Sequence, residues 1–139
     1  MAVNAKLKWT DGLQFVARAG DSPAVILDNH AGGGGPSPME MVLMGTAGCT
    51  AMDVISIMKK KRAAIDRFEV TIDGDQAEEY PKRYTAIRIM FTLFGTGIKP
   101  KAVEQAIDLS RSKYCSATAS LNADVAYSYE INPNVAALG

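Results

Sequence analysis

The stretch Pro36-Ser37-Pro38-Met39-Glu40-Met41-Val42-Leu43-Met44-Gly45-Thr46-Ala47-Gly48-Cys49-Thr50-Ala51-Met52 opens the segment whose reading decides the fold. Ser37 is a candidate N-cap, and Pro38 suits a first helical turn, where its missing N–H leaves nothing unsatisfied. From there the pattern predicts a helix to about Lys59, a rod of roughly 33 Å. Its apolar residues, from Met41 to Met58, are spread almost all round the rod, which is the pattern of a helix buried on every side. A small domain struggles to wrap such a rod, and Gly45, Ala47, Gly48 and Ala51 would let another helix approach closely. A second copy of the chain is therefore expected to complete the burial. The alternative is that the chain's own sheet covers one face and its second helix the other. Lys59-Lys60-Lys61-Arg62 closes the helix with cations that suit the macrodipole, a better account of this basic run than a nucleic-acid patch.

Working outward, Val3 to Thr10 and Leu13 to Arg18 are short alternating runs joined by Asp11-Gly12, a strong hairpin signal. A third strand is expected at Ala24 to Leu27. The glycine run that follows His30 reads as a flexible loop, since it lacks the lysine and hydroxyl residue of a P-loop and the spacing of a dinucleotide site. Beyond the helix, Phe68 to Asp73 and Tyr84 to Phe94 read as strands linked by the polar segment Glu78 to Lys82. Pro100 opens a second helix through about Lys113. Cys115 should begin a further helical turn through Leu121, and Val125 to Ile131 a last strand. The expected class is α+β: antiparallel sheets around a long buried central helix, with a second, shorter helix, in a single domain over residues 1–139.

Fifteen basic and fifteen acidic residues cancel, so no electrostatic case for nucleic acid arises. The N-terminus lacks the apolar core of a signal peptide. The longest uncharged apolar stretch, Met41 to Met52, falls short of the roughly 20 residues that cross a bilayer. A cytoplasmic protein with no membrane partner is expected. The chain has two cysteines and one histidine, with no CxxC or HxxxH spacing, so no metal site is expected. At 47% apolar composition it can bury a core without a disulfide. The two thiols are then either inert buried side chains or a nucleophile with its resolving partner.

Ser37 to Gly45 followed by Gly48-Cys49, together with Lys113-Tyr114-Cys115-Ser116, resembles the OsmC/Ohr family. The opening Lys8-Trp9-Thr10-Asp11-Gly12-Leu13 places the chain nearest the YhfA-like branch, and the resemblance runs over essentially the whole chain. It implies an intertwined homodimer and a thiol-dependent peroxidase acting on organic hydroperoxides. By the same resemblance Cys49 is the peroxidatic thiol and Cys115 resolves it. A dithiol such as a lipoylated protein would reduce the resulting disulfide, and no haem, flavin, metal or other cofactor is needed. A non-catalytic or redox-sensing dimer that binds a small apolar or thiol-bearing ligand is the alternative.

The family's peroxidases also carry a thiolate-polarising Glu ten positions before the cysteine, where this chain has Met39. Its nearest carboxylate, Glu40, sits about half a turn round the helix from Cys49 and roughly 13 Å along it. Glu40 is then a group acting across a dimer interface, a first-turn carboxylate favoured by the dipole, or neutral. The family draws the partner Arg from the N-terminal β region, where Arg18 is the candidate on position alone; a solvated Arg18 is the plain alternative. His30 reads as a loop residue. The methionines, Tyr114 and Tyr127 fit either a core or an apolar pocket lining.

Overall fold

Gly12, at φ +53°, turns β1 (Ala5–Asp11) back into β2 (Gln14–Ala19), and the Asp11 side chain accepts its N–H at 2.9 Å. β3 (Val25–Leu27) adds antiparallel to β2, giving a sheet of order β1-β2-β3. The computed structural model describes residues 1–134, and the chain divides into two units, Met1–Val42 and Leu43–Gly139. The three-stranded sheet belongs to the first.

The glycine run after β3 differs from the free loop expected from composition. Asp28 is buried and accepts the N–H groups of Asn29 at 2.7 Å and Gly34 at 3.1 Å. These bonds, Asn29's foremost, hold its carboxyl below the ordinary value although burial pushes the other way. A Cβ on Gly34 would overlap the Gln14 and Asp28 side chains, and one on Gly35 the Ile26 carbonyl. Close approach of the backbone to a buried carboxylate is what requires glycine here. The first unit ends in the opening turn of α1 (Pro38–Lys60), where Ser37 Oγ accepts the Glu40 N–H at 3.1 Å and the Glu40 carboxylate accepts the Ser37 N–H at 3.0 Å. This reciprocal capping box is why the helix begins at Pro38.

In the second unit β4 (Ala64–Gln76) and β5 (Tyr84–Thr96) form a long antiparallel hairpin that extends beyond the alternation visible in the sequence. β6 (Asp124–Ile131) lies on the other side of β5 and runs parallel to it. That corrects the expectation of antiparallel pairing throughout. Between β5 and β6 the chain passes through α2 (Pro100–Leu109), a π-turn (Ser110–Tyr114) and α3 (Ser116–Ala119), a crossover long enough to return a strand in the same direction.

Ile87, Ile89, Phe91 and Leu93 alternate along β5 and are closed to solvent, so the strand's period of two lines one core face. The rings of Phe68, Phe91 and Tyr127 stack across all three strands, with centroids 6.2 and 6.5 Å apart. Val103, Ala106 and Ile107 are the buried face of α2. Burying each large apolar side chain contributes about 1.5–3 kcal/mol.

α1 is buried along one seam, Thr46, Thr50, Val54 and Met58, spaced four apart. It is not covered on every side within one chain: Met44 is 48% and Met52 73% exposed. At 23 residues, with a mean hydropathy of 1.6 over an 18-residue stretch, it is long and apolar enough to cross a membrane by length and composition. The Met41 to Met52 stretch understates it. A core helix meets the same test, and one seam of α1 is buried within the chain.

Candidate functional site

Two elements of the second unit bring the cysteines together. Cys49 lies in the middle of α1, beside the buried seam. Cys115 follows the π-turn, whose extra residue lets the Cys115 N–H reach back to the Ser110 carbonyl at 2.8 Å. At φ −74° and ψ 98°, Cys115 then serves as N-cap of α3, its sulfur accepting the Thr118 N–H at 3.5 Å and its carbonyl the Thr118 hydroxyl at 3.1 Å. The two sulfurs and a carboxylate oxygen of Asp53 all lie within 4.8 Å of one another. Both thiols are free; Cys49 is half-buried and Cys115 buried.

Electrostatics at Cys49 favour the protonated thiol. Burial pushes its pKa up, the neighbouring Cys115 thiol pushes the same way, and the backbone N–H groups of Ala117 and Ser116 oppose both. The amides come from the first turn of α3 and point at the place where negative charge would develop.

Asp53 was missed in the sequence, although its signal was there. It stands four residues after Cys49, hence on the same face one turn along. Ser110 gave no such signal. Its hydroxyl, closed to solvent, donates to Asp53 Oδ2 at 2.9 Å and lies 2.8 Å from Thr50 Oγ1. The one Ser110 hydrogen goes to the carboxylate, so Thr50 donates to Ser110. Asp53 also borders a cleft of about 390 Å³ lined by Ser56, Ile57, Lys60, Leu109 and Tyr114. A larger cleft, about 520 Å³ beside Met58, Arg62 and Lys99, includes neither cysteine nor Asp53.

Tyr127 stacks on Phe91, and its hydroxyl is closed to solvent without a hydrogen-bond partner among the described residues. Burial raises its pKa, the Cys115 thiol adds to the rise, and the nearby Thr118 side chain and Arg111 oppose it. The thiolate-polarising candidates Arg18 and Glu40 lie in the first unit and are engaged there. Arg18 donates to the carbonyls of Ser22 at 2.7 Å and Asp21 at 3.1 Å, clamping the turn after β2. Glu40 closes the capping box, with exposed His30 at 3.8 Å, and its pKa is lowered by the Ser37 N–H before any other cause.

Comparison with known proteins identifies the family of the chain. Residues 31–130 match the family described as OsmC-like protein. The chain is 38% identical over 131 residues to the protein YhfA of Escherichia coli (strain K12), covering 93% of this chain and 98% of that one. A hypothetical protein from Aquifex aeolicus superposes with a TM-score of 0.87 at 28% identity, over 95% of this chain and 97% of the other. The organic hydroperoxide resistance protein OhrB of Bacillus subtilis shares the fold, with a TM-score of 0.62 at 14% identity over 94% and 98% of the two chains. The match across most of the chain and the whole-length likeness to YhfA establish that this chain belongs to the OsmC-like protein family.

Proposed function

We propose that the chain reduces organic hydroperoxides, with Cys49 as the attacking thiol and Cys115 as its resolving partner. The observation that carries this reading is the approach of the two sulfurs to within 4.8 Å, with the half-buried one accessible and the other sealed. The Cys49 thiolate attacks the O–O bond, taking one oxygen as a sulfenic acid and releasing an alcohol once the alkoxide gains a proton. The Cys115 thiol then condenses with the sulfenic acid, expelling water and forming a disulfide. A dithiol, of which a lipoyl group is one, returns both cysteines to thiols as its own pair becomes a disulfide. The Ser116 and Ala117 amides supply the stabilisation of negative charge that the first step needs. A reducing cytoplasm would keep the pair in its thiol form at rest. The exposed Met44 and Met52 on α1 suit a homodimer in which a second copy covers them.

A second reading, a redox sensor or ligand-binding relative, is favoured by one specific observation: the Cys49 thiol is pushed up rather than down, which slows peroxide attack. Cumene hydroperoxide consumption in the presence of dihydrolipoamide separates the two. Multiple turnovers that vanish in Cys49→Ser support the peroxidase. In Cys115→Ser without the dithiol, one equivalent is consumed and the sulfenic acid becomes trappable with dimedone. Slow stoichiometric oxidation of wild-type chain without turnover would instead support the sensor.

A further inference from the structure

Asp53 takes no part in the thiol chemistry just described, yet a carboxylate oxygen of it lies within 4.8 Å of both sulfurs. A tetrahedral Zn²⁺, with bonds of about 2.3 Å to sulfur and about 2.1 Å to carboxylate oxygen, separates its ligand atoms by roughly 3.5–3.8 Å. Three groups already within 4.8 Å of one another need side-chain adjustment of about an ångström to meet that geometry, and no refolding.

The carboxylate is also oriented from behind. Thr50 donates to Ser110 and Ser110 to Asp53 Oδ2, in a chain whose two hydroxyl residues are fully buried. That holds the carboxylate in place through one of its oxygens, which is how outer hydrogen bonds prepare metal-binding carboxylates. Cys49 and Asp53 are half-buried, so an ion can arrive from their side and close onto buried Cys115. Two thiolates select soft and borderline cations over magnesium or calcium. A ligand count restricted to cysteine and histidine spacing leaves this carboxylate out, which is why the sequence pointed to no metal.

We infer that Cys49, Cys115 and Asp53 form a binding site for a thiophilic divalent cation, with three protein ligands and a fourth position open to water or an incoming thiol. Binding breaks two S–H bonds, releases two protons to solvent and forms two metal–sulfur bonds, with no electron transferred. The same sulfurs joined as a disulfide cannot bind the ion, so metal occupancy and oxidation exclude each other. The site does not depend on hydroperoxide turnover: a chain inactive toward peroxide can still bind metal.

The test is an anaerobic titration of reduced, metal-free full-length chain with Co²⁺. One equivalent should bind with sulfur-to-cobalt charge-transfer absorption and the intense visible bands of tetrahedral cobalt, and Zn²⁺ should displace it. Asp53→Asn, whose carboxamide oxygen still accepts from Ser110, should retain the fold by circular dichroism, bind at least tenfold more weakly and shift the visible bands. Ser110→Ala should weaken binding about 10- to 100-fold through loss of orientation. Cys49→Ser should remove most of the charge-transfer intensity. No charge-transfer absorption in wild type, or an affinity and spectrum unchanged in Asp53→Asn, would overturn the site.

Discussion

Oxidation of the thiol pair should stabilise the fold by an amount the structure lets one work out. A Cys49–Cys115 bond closes a loop of about 65 residues, and chain entropy alone then favours the folded state by about 4 kcal/mol. Against this stands the adjustment needed to bring sulfurs as far apart as 4.8 Å to an S–S bond of about 2.05 Å. A chain of this size gains about 2–4 °C in Tm per kcal/mol, so with part of the entropy gain spent on that adjustment the oxidised form should melt roughly 5–10 °C above the reduced one. The assay is differential scanning calorimetry of the two forms. Loss of both titratable thiols and a single-chain band on a non-reducing gel would verify the bond. Oxidised chain that melts no higher than reduced chain would refute the reasoning, because closure would then strain the fold by as much as the loop gains, and the pair would not be poised.

Four other outcomes follow from the same region. Ser110→Ala removes a charge-assisted hydrogen bond to Asp53 and strands the buried Thr50 hydroxyl, so urea unfolding should show a loss of about 2–4 kcal/mol. In the Thr50→Val/Ser110→Ala double variant the losses should fall short of additive by about 1 kcal/mol or more. Because the Cys49 pKa is raised, its alkylation rate should climb about tenfold per pH unit and reach its midpoint above the ordinary thiol value of about 8.5. The sign for stability follows: a raised folded-state pKa contributes stability below that ordinary value and loses it as pH rises. The urea midpoint of reduced wild type should therefore fall toward alkaline pH relative to Cys49→Ser.

Much of this was legible in the letters, for identifiable reasons. Asp11-Gly12 announces its hairpin because few other pairs tolerate the turn, and Ser37-Pro38 announces the helix because capping is a local matter. The direction of β6 was not legible, since alternation marks a strand without saying which way it runs beside its neighbour. The letters of α1 ask for cover all round the rod, and within one chain only the stripe Thr46, Thr50, Val54 and Met58 receives it. The glycines near His30 read as looseness, whereas the reason for them is the Asp28 carboxylate that the backbone must approach. At the site, the two cysteines stood out by rarity. Asp53 was hidden among ordinary helix-surface acids, and Ser110 became visible only when the π-turn carried it against Thr50.

That π-turn has a consequence for how the thiol pair can be silenced. One surplus residue in the turn Ser110–Tyr114 sets the angle at which everything after it leaves the helix. Deleting a single residue from Arg111 to Lys113 would remove the surplus and with it the 2.8 Å bond from the Cys115 N–H to the Ser110 carbonyl that sets where residue 115 sits. The sulfur of residue 115 would move off its counterpart while both cysteines were kept. Insertions and deletions in this short stretch, more than replacement of either cysteine, are therefore a route by which a relative of this fold can keep both thiols and abandon their partnership.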